Sequence, residues 1–135
     1  MPNIKSIHHV AVVVDDMEKS LSFWRDALGI ALHEIRDVPA ESSQVAFLPL
    51  AGSELELVMP TTNESGVAKY LAKRGPGMHH ICLEVDTLAG MLTQLKSKGV
   101  RLLNEEPRIA EDGRQYAFVH PESTGGVLVE LYQAK

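Results

Sequence analysis

Apolar positions follow two different periods along the chain, and each change of period marks an element. The run from His9 to Val14, "HVAVVV", is rich in β-branched residues that suit a pleated strand. It meets Asp15 and Asp16, either of which can cap a helix whose Met17, Leu21, Trp24 and Leu28 form one stripe. Gly29 can take the left-handed conformation that stops this helix. Three extended stretches follow, "ALHEIRDV", "SQVAFLPL" and "ELELVMP", separated by turn residues.

The same order then recurs. An offset of 71 residues carries His9 onto His80, Asp15 onto Asp86, Leu21 onto Leu92 and Trp24 onto Leu95. After the strand from His80 to Val85, Asp86 precedes a helix bearing Leu88, Met91, Leu92 and Leu95, which Gly99 closes. "VRLLNEE", "RQYAFVHP" and "VLVELYQ" are the expected strands of the second copy. The pattern predicts an α+β fold of two tandem βαβββ modules, about residues 4–60 and 78–133, within a single domain covering 1–135. Residues 61–77, "TTNESGVAKYLAKRGPG", read as a helical linker ended by a Gly-Pro-Gly breaker. Neither half is expected to stand alone, since a sheet face of about 65 residues' worth of chain needs its twin as cover.

Composition narrows the role. With 135 residues, 44% of them hydrophobic, there is material for one well-filled core. A formal charge of -5 argues against nucleic acid as partner, because phosphate binding needs dense Lys and Arg; a small molecule is expected instead. Cys82 is the only cysteine, which rules out an internal disulfide and fits a reducing, cytoplasmic setting. No apolar run approaches bilayer length and the N-terminus has no signal-peptide character, so no membrane association is expected.

Candidate chemistry lies in the repeated positions. Each module begins with a His-His pair, His8-His9 and His79-His80. Alternation along a strand sends neighbouring side chains to opposite faces, so one histidine of each pair is expected to face inward. Periodicity alone does not choose which one, because both faces are apolar. The last strand of each module carries a glutamate among apolar residues, Glu56 in "LELV" and Glu130 in "LVEL". An acidic side chain in an apolar strand is costly unless it is paired, protonated or bound to metal. Two imidazoles and two carboxylates from duplicated halves are the donor set that a divalent cation requires.

The stretches "IHHVAVVVDDMEKSLSFWRDALG", "ELELVMP", "GPGMHHICLEVD" and "FVHPESTGGVLVEL" span nearly the whole chain and resemble the vicinal oxygen chelate superfamily, in particular its epimerases acting on methylmalonyl-CoA. The resemblance implies a half-open barrel sheet curled around a metal, with the second histidine of each pair as ligand. His9, Glu56, His80 and Glu130 would then be the ligands. Some relatives have glutamine where Glu56 stands, so this chain's site would carry more negative charge. The implied reaction is inversion at C2 of an acyl-CoA, methylmalonyl-CoA, by proton removal and return. Glu41 in "VPAESSQVAF" and Glu130 would be the two catalytic carboxylates. Cobalt, manganese, nickel and zinc all suit two nitrogens and two oxygens, and relatives are commonly homodimers.

Three rivals share the scaffold. A lactoylglutathione-lyase-like isomerase would use the same enolate chemistry on another carrier. A bleomycin-resistance-type binding module would lack the metal set, and a ring-cleaving dioxygenase would present two histidines and one glutamate, against which Glu56 argues. Of the remaining polar residues, His120 is expected to end a strand and His33 to be exposed. Lys69, Lys73 and Arg74 are expected to form a solvated helix face, and Trp24 to be core.

Overall fold

A computed structural model describes residues 1–135. Its elements are β1 Ile4–Val13, α1 Met17–Leu21, β2 Glu34–Val38, β3 Ser43–Leu50, β4 Ser53–Pro60, α2 Gly66–Arg74, β5 Gly77–Val85, α3 Leu88–Ser97, β6 Arg108–Ile109, β7 Gln115–Val119 and β8 Leu128–Gln133. The β-α-β-β-β order thus occurs twice, with α2 between the copies. No helix is long and apolar enough to cross a membrane.

The chain divides into two compact units: Val10–His79, and Met1–His9 together with His80–Lys135. In the Val10–His79 unit the strand order is β2-β3-β4-β1, with β2, β3 and β4 antiparallel. Its helical side is filled by Met17, Leu21, Ala46, Leu48, Leu55 and Leu57, against which Trp24 packs. Asp16 caps α1 by accepting from the Lys19 backbone N–H at 3.1 Å. The expected single helix does not stay α-helical to Leu28. Residues Ser22–Ala27 form a π-helical turn in which the Leu28 N–H reaches the Phe23 carbonyl five residues back at 2.9 Å. Gly29, at φ +83°, then reverses the chain as its residue type predicts.

In the other unit the order is β1-β5-β8-β7-β6. β5 and β8 run parallel with Cys82 opposite Glu130, and β8 pairs antiparallel with β7, placing Phe118 opposite Glu130. Val85, Leu88, Met91, Leu92, Ala117, Val119 and Leu131 form the core between α3 and the sheet. Thr87, not Asp86, occupies the cap position of α3. Asp86 serves the N-terminus instead, accepting from the Asn3 backbone N–H at 2.8 Å while the Asp86 N–H donates to the Asn3 carbonyl at 3.1 Å.

Two expected strands are shorter than the apolar pattern suggested. β2 begins at Glu34, although the His33 N–H already bonds the Phe47 carbonyl at 2.8 Å. "VRLLNEE" is reduced to a single bridge, Leu102 to Val119, and the strand proper is Arg108–Ile109. The reason is local. Asn104 Oδ1 takes the Phe118 N–H at 2.8 Å where a ladder carbonyl would otherwise accept, and Pro107 has no N–H to continue the ladder.

The Asn3–Asp86 clip gives a pH prediction. The Asp86 carboxyl lies below its ordinary value of 3.8, chiefly because the Asn3 backbone N–H bonds its charged form. A depressed folded-state pKa contributes stability that is present above the unfolded value and lost as pH falls through the folded one. Asp86→Asn is expected to flatten the acid limb of a stability-versus-pH curve below about pH 4 and to speed amide exchange at Asn3; an unchanged acid limb in denaturant titrations would remove the clip from the account.

Candidate metal centre

β1, β5 and β8 each contribute one donor to a compact group. His9 Nε2 lies 3.1 Å from His80 Nε2 and 3.4 Å from Glu130 Oε1, and His80 Nε2 lies 3.1 Å from the same oxygen. The alternation in β1 buries His9 with Ala11 and Val13, so the second histidine of the first pair is the inward one. All three donors belong to the unit formed by Met1–His9 and His80–Lys135.

The triangle suits a divalent cation. Bonds of about 2.0–2.2 Å from nitrogen and carboxylate oxygen put neighbouring donors roughly 2.9 Å apart at right angles and about 3.4 Å apart at tetrahedral angles. The observed edges lie within that interval. Burial pushes the Glu130 carboxyl up, but hydrogen bonds from His80 and His9, and their charge when protonated, outweigh it and hold its pKa at about 2. The carboxylate is therefore anionic at neutral pH, the form that coordinates a cation.

Glu56 occupies the matching place in the Val10–His79 unit. It is partly buried on β4 between buried Leu55 and Leu57, and strand alternation puts it on the face opposite theirs. It stands opposite Phe47, as Glu130 stands opposite Phe118, so the repeat extends to the ladder register. Glu41 ends the exposed 3-10 turn Pro39–Glu41 between β2 and β3. That turn is fixed by Ser42 in the left-handed region, φ +50°, and by buried Ser43, whose hydroxyl donates to the Glu41 carbonyl at 3.1 Å.

The expectation that one histidine of each pair turns away fails in the first pair. The His8 ring packs on Tyr132 with centroids 4.3 Å apart, and His8 Nδ1 lies 2.8 Å from His9 Nδ1. Tyr132 is two residues from Glu130 on β8 and so shares its face; both His8 and His9 reach that side. In the second pair only His80 joins the group, while His79 packs edge-on against Tyr70 of α2 at 4.8 Å. Sequence reasoning missed Tyr132, although its two-residue spacing from Glu130 carries the signal. Cys82 is fully buried beside the pair, its thiol within 4.8 Å of a ring nitrogen of His8 and of His9. His120 bonds the Glu122 N–H through Nδ1 at 3.0 Å, a local cap, and His33, Lys69, Lys73 and Arg74 are exposed.

Residues 8–118 match the Glyoxalase/Bleomycin resistance protein/Dioxygenase superfamily, and the chain belongs to that superfamily. It is 41% identical over 129 residues to the mitochondrial methylmalonyl-CoA epimerase of Mus musculus, covering 95% of this chain and 72% of that one. It is 36% identical over 132 residues to the ethylmalonyl-CoA/methylmalonyl-CoA epimerase of Cereibacter sphaeroides, covering 96% and 98%. A solved methylmalonyl-CoA epimerase in complex with methylmalonyl-CoA and NH4+ superposes with a TM-score of 0.86 at 30% identity, covering 98% of this chain and 96% of that one.

Loss of the anionic donor should weaken the centre most. Glu130→Gln keeps the shape and removes the charge, so divalent-cation affinity should fall by more than the roughly 10–100-fold typical of supporting residues. Titration calorimetry checks this, and affinity within a few-fold of the unaltered protein would exclude Glu130 as a ligand.

Proposed function

We propose that the protein is a metal-dependent isomerase that interconverts the two epimers of methylmalonyl-CoA at C2. The reading is supported by a two-imidazole, one-carboxylate group of metal-binding geometry in a chain similar over nearly its full length to epimerases of this substrate. The C2 hydrogen lies between a thioester carbonyl and a carboxylate, so its removal leaves an enolate whose charge must be stabilised. His9, His80 and Glu130 would hold the cation, and Glu56, the counterpart of Glu130 by repeat and register, is the fourth ligand proposed. When bound, a divalent ion such as cobalt, manganese, nickel or zinc supplies Lewis acidity at the substrate oxygens.

The chain's own residues supply the proton chemistry. Inversion needs a carboxylate on one face of C2 to take the proton and a second acid to return one on the other. Glu41 is proposed for the first role in one direction of the reaction. It is exposed on a turn whose backbone is fixed, which leaves the carboxylate accessible without leaving it unplaced. Glu130 is proposed for the opposite face: its anionic form takes the C2 proton in the reverse direction, and in the forward direction it returns a proton that it has first taken up from solvent.

Two experiments separate substrate from mechanism. Metal-loaded protein should wash solvent deuterium into C2 of methylmalonyl-CoA and convert either epimer into the mixture. Absence of exchange, with turnover of the methylglyoxal–glutathione hemithioacetal, would assign the lactoylglutathione-lyase chemistry instead. Glu41→Gln should slow exchange by about 10²–10⁴-fold with metal content unchanged; full activity in this variant rejects Glu41 as the base.

A further inference from the structure

The metal-binding reading uses one histidine of the first pair, yet the other sits against it. We propose that His8 is a positioning residue that fixes the tautomer and orientation of His9 in the metal-loaded protein, an inference that rests on that reading. A neutral imidazole carries one N–H. His9 faces the donor triangle through Nε2, so binding a cation there requires the Nε2 lone pair and places the ring proton on Nδ1. The only geometry that then satisfies the 2.8 Å Nδ1–Nδ1 contact has His9 donating and His8 accepting. His8 must in turn carry its own proton on Nε2.

Ligating histidines usually donate their second N–H to a carboxylate, a carbonyl or water. Here the acceptor is a second imidazole, which orients the ligand without adding negative charge to a set already holding Glu130 and, as proposed, Glu56. The acceptor is itself held. The His8 ring lies on Tyr132 at 4.3 Å, and the Arg114 guanidinium lies 5.5 Å from the Tyr132 ring. Arg114 Nε is in turn bound to Asp112 Oδ2 at 2.7 Å. Without a cation the His8–His9 pair admits the opposite arrangement, in which His9 donates from Nε2 to Glu130 and accepts from His8 at Nδ1. Loading the site then exchanges one tautomer pair for the other.

His8→Phe keeps an aromatic ring on Tyr132 and removes the acceptor, whereas His8→Asn retains a carbonyl that can accept. Zinc affinity, measured by competition with a chromogenic chelator, is expected to fall about 10–100-fold in His8→Phe and to stay within a few-fold of the unaltered protein in His8→Asn. Long-range ¹H–¹⁵N spectra of the unaltered zinc-loaded protein should show His9 protonated at Nδ1 and His8 at Nε2, a readout independent of how either variant folds. Unaltered zinc affinity in His8→Phe, equal losses in both variants, or a zinc-loaded spectrum with His9 Nδ1 unprotonated would each overturn the inference while the metal site stands. Failure of the unaltered protein to bind zinc, cobalt, manganese or nickel would overturn the metal reading and this inference with it.

Discussion

The constraint on which the rest depends is a count of protons. Three atoms, His9 Nε2, His80 Nε2 and Glu130 Oε1, form a triangle with edges of 3.1 to 3.4 Å. Each imidazole nitrogen either carries a hydrogen or presents a lone pair, so with an ionised carboxylate no arrangement makes hydrogen bonds along all three edges. If both rings donate to Glu130, two N–H groups confront each other on the third edge; if one ring donates to the other, an edge to the carboxylate is lost. A bound cation would remove this conflict, because all three atoms could then offer it lone pairs. The group therefore has the donor chemistry that a divalent-cation site requires.

Holding such a group inside an apolar sheet requires rigidity from elements that gain nothing from the chemistry. The contacts from His80 and His9 outweigh burial and keep the mostly buried Glu130 carboxyl ionised. Beneath it, Leu131 and Ala117 are packed against α3, and the parallel pairing of β5 with β8 fixes Cys82 opposite Glu130. That register sets where Glu130 stands relative to His80. A slip of one residue in β8 would turn Glu130 into the helix-facing core and bring Leu131 into the metal group.

Much of this was legible in the sequence because duplication is visible without coordinates. The repeat carries His9 onto His80 and marks the glutamates, and strand alternation places His9 with Ala11 and Val13. The helix stops at Gly29 and Gly99 followed from residue type, and both glycines have positive φ. The shortening of "VRLLNEE" was not legible, because an apolar run reads alike whether a neighbouring carbonyl or the Asn104 side chain takes the Phe118 N–H. Nor was the π-turn after Leu21, whose residues keep a helical stripe while the hydrogen bonds lengthen by one residue. The position of His8 was misread for a related reason: periodicity describes regular backbone, and the His8 side chain makes contacts that strict alternation excludes.

Duplication sets backbone positions, and divergence then decides what each position does. Both modules open with His-His and place a glutamate opposite a phenylalanine, yet their leading histidines have gone separate ways: His8 to Tyr132 and His9, His79 to Tyr70 of the linker helix. The phenylalanines differ as well, Phe47 lying under the Arg36 guanidinium and Phe118 presenting an edge contact to His80. Equivalent backbone positions therefore do not carry equivalent contacts: the repeat says which places are paired, and the side chains around each place decide what it does.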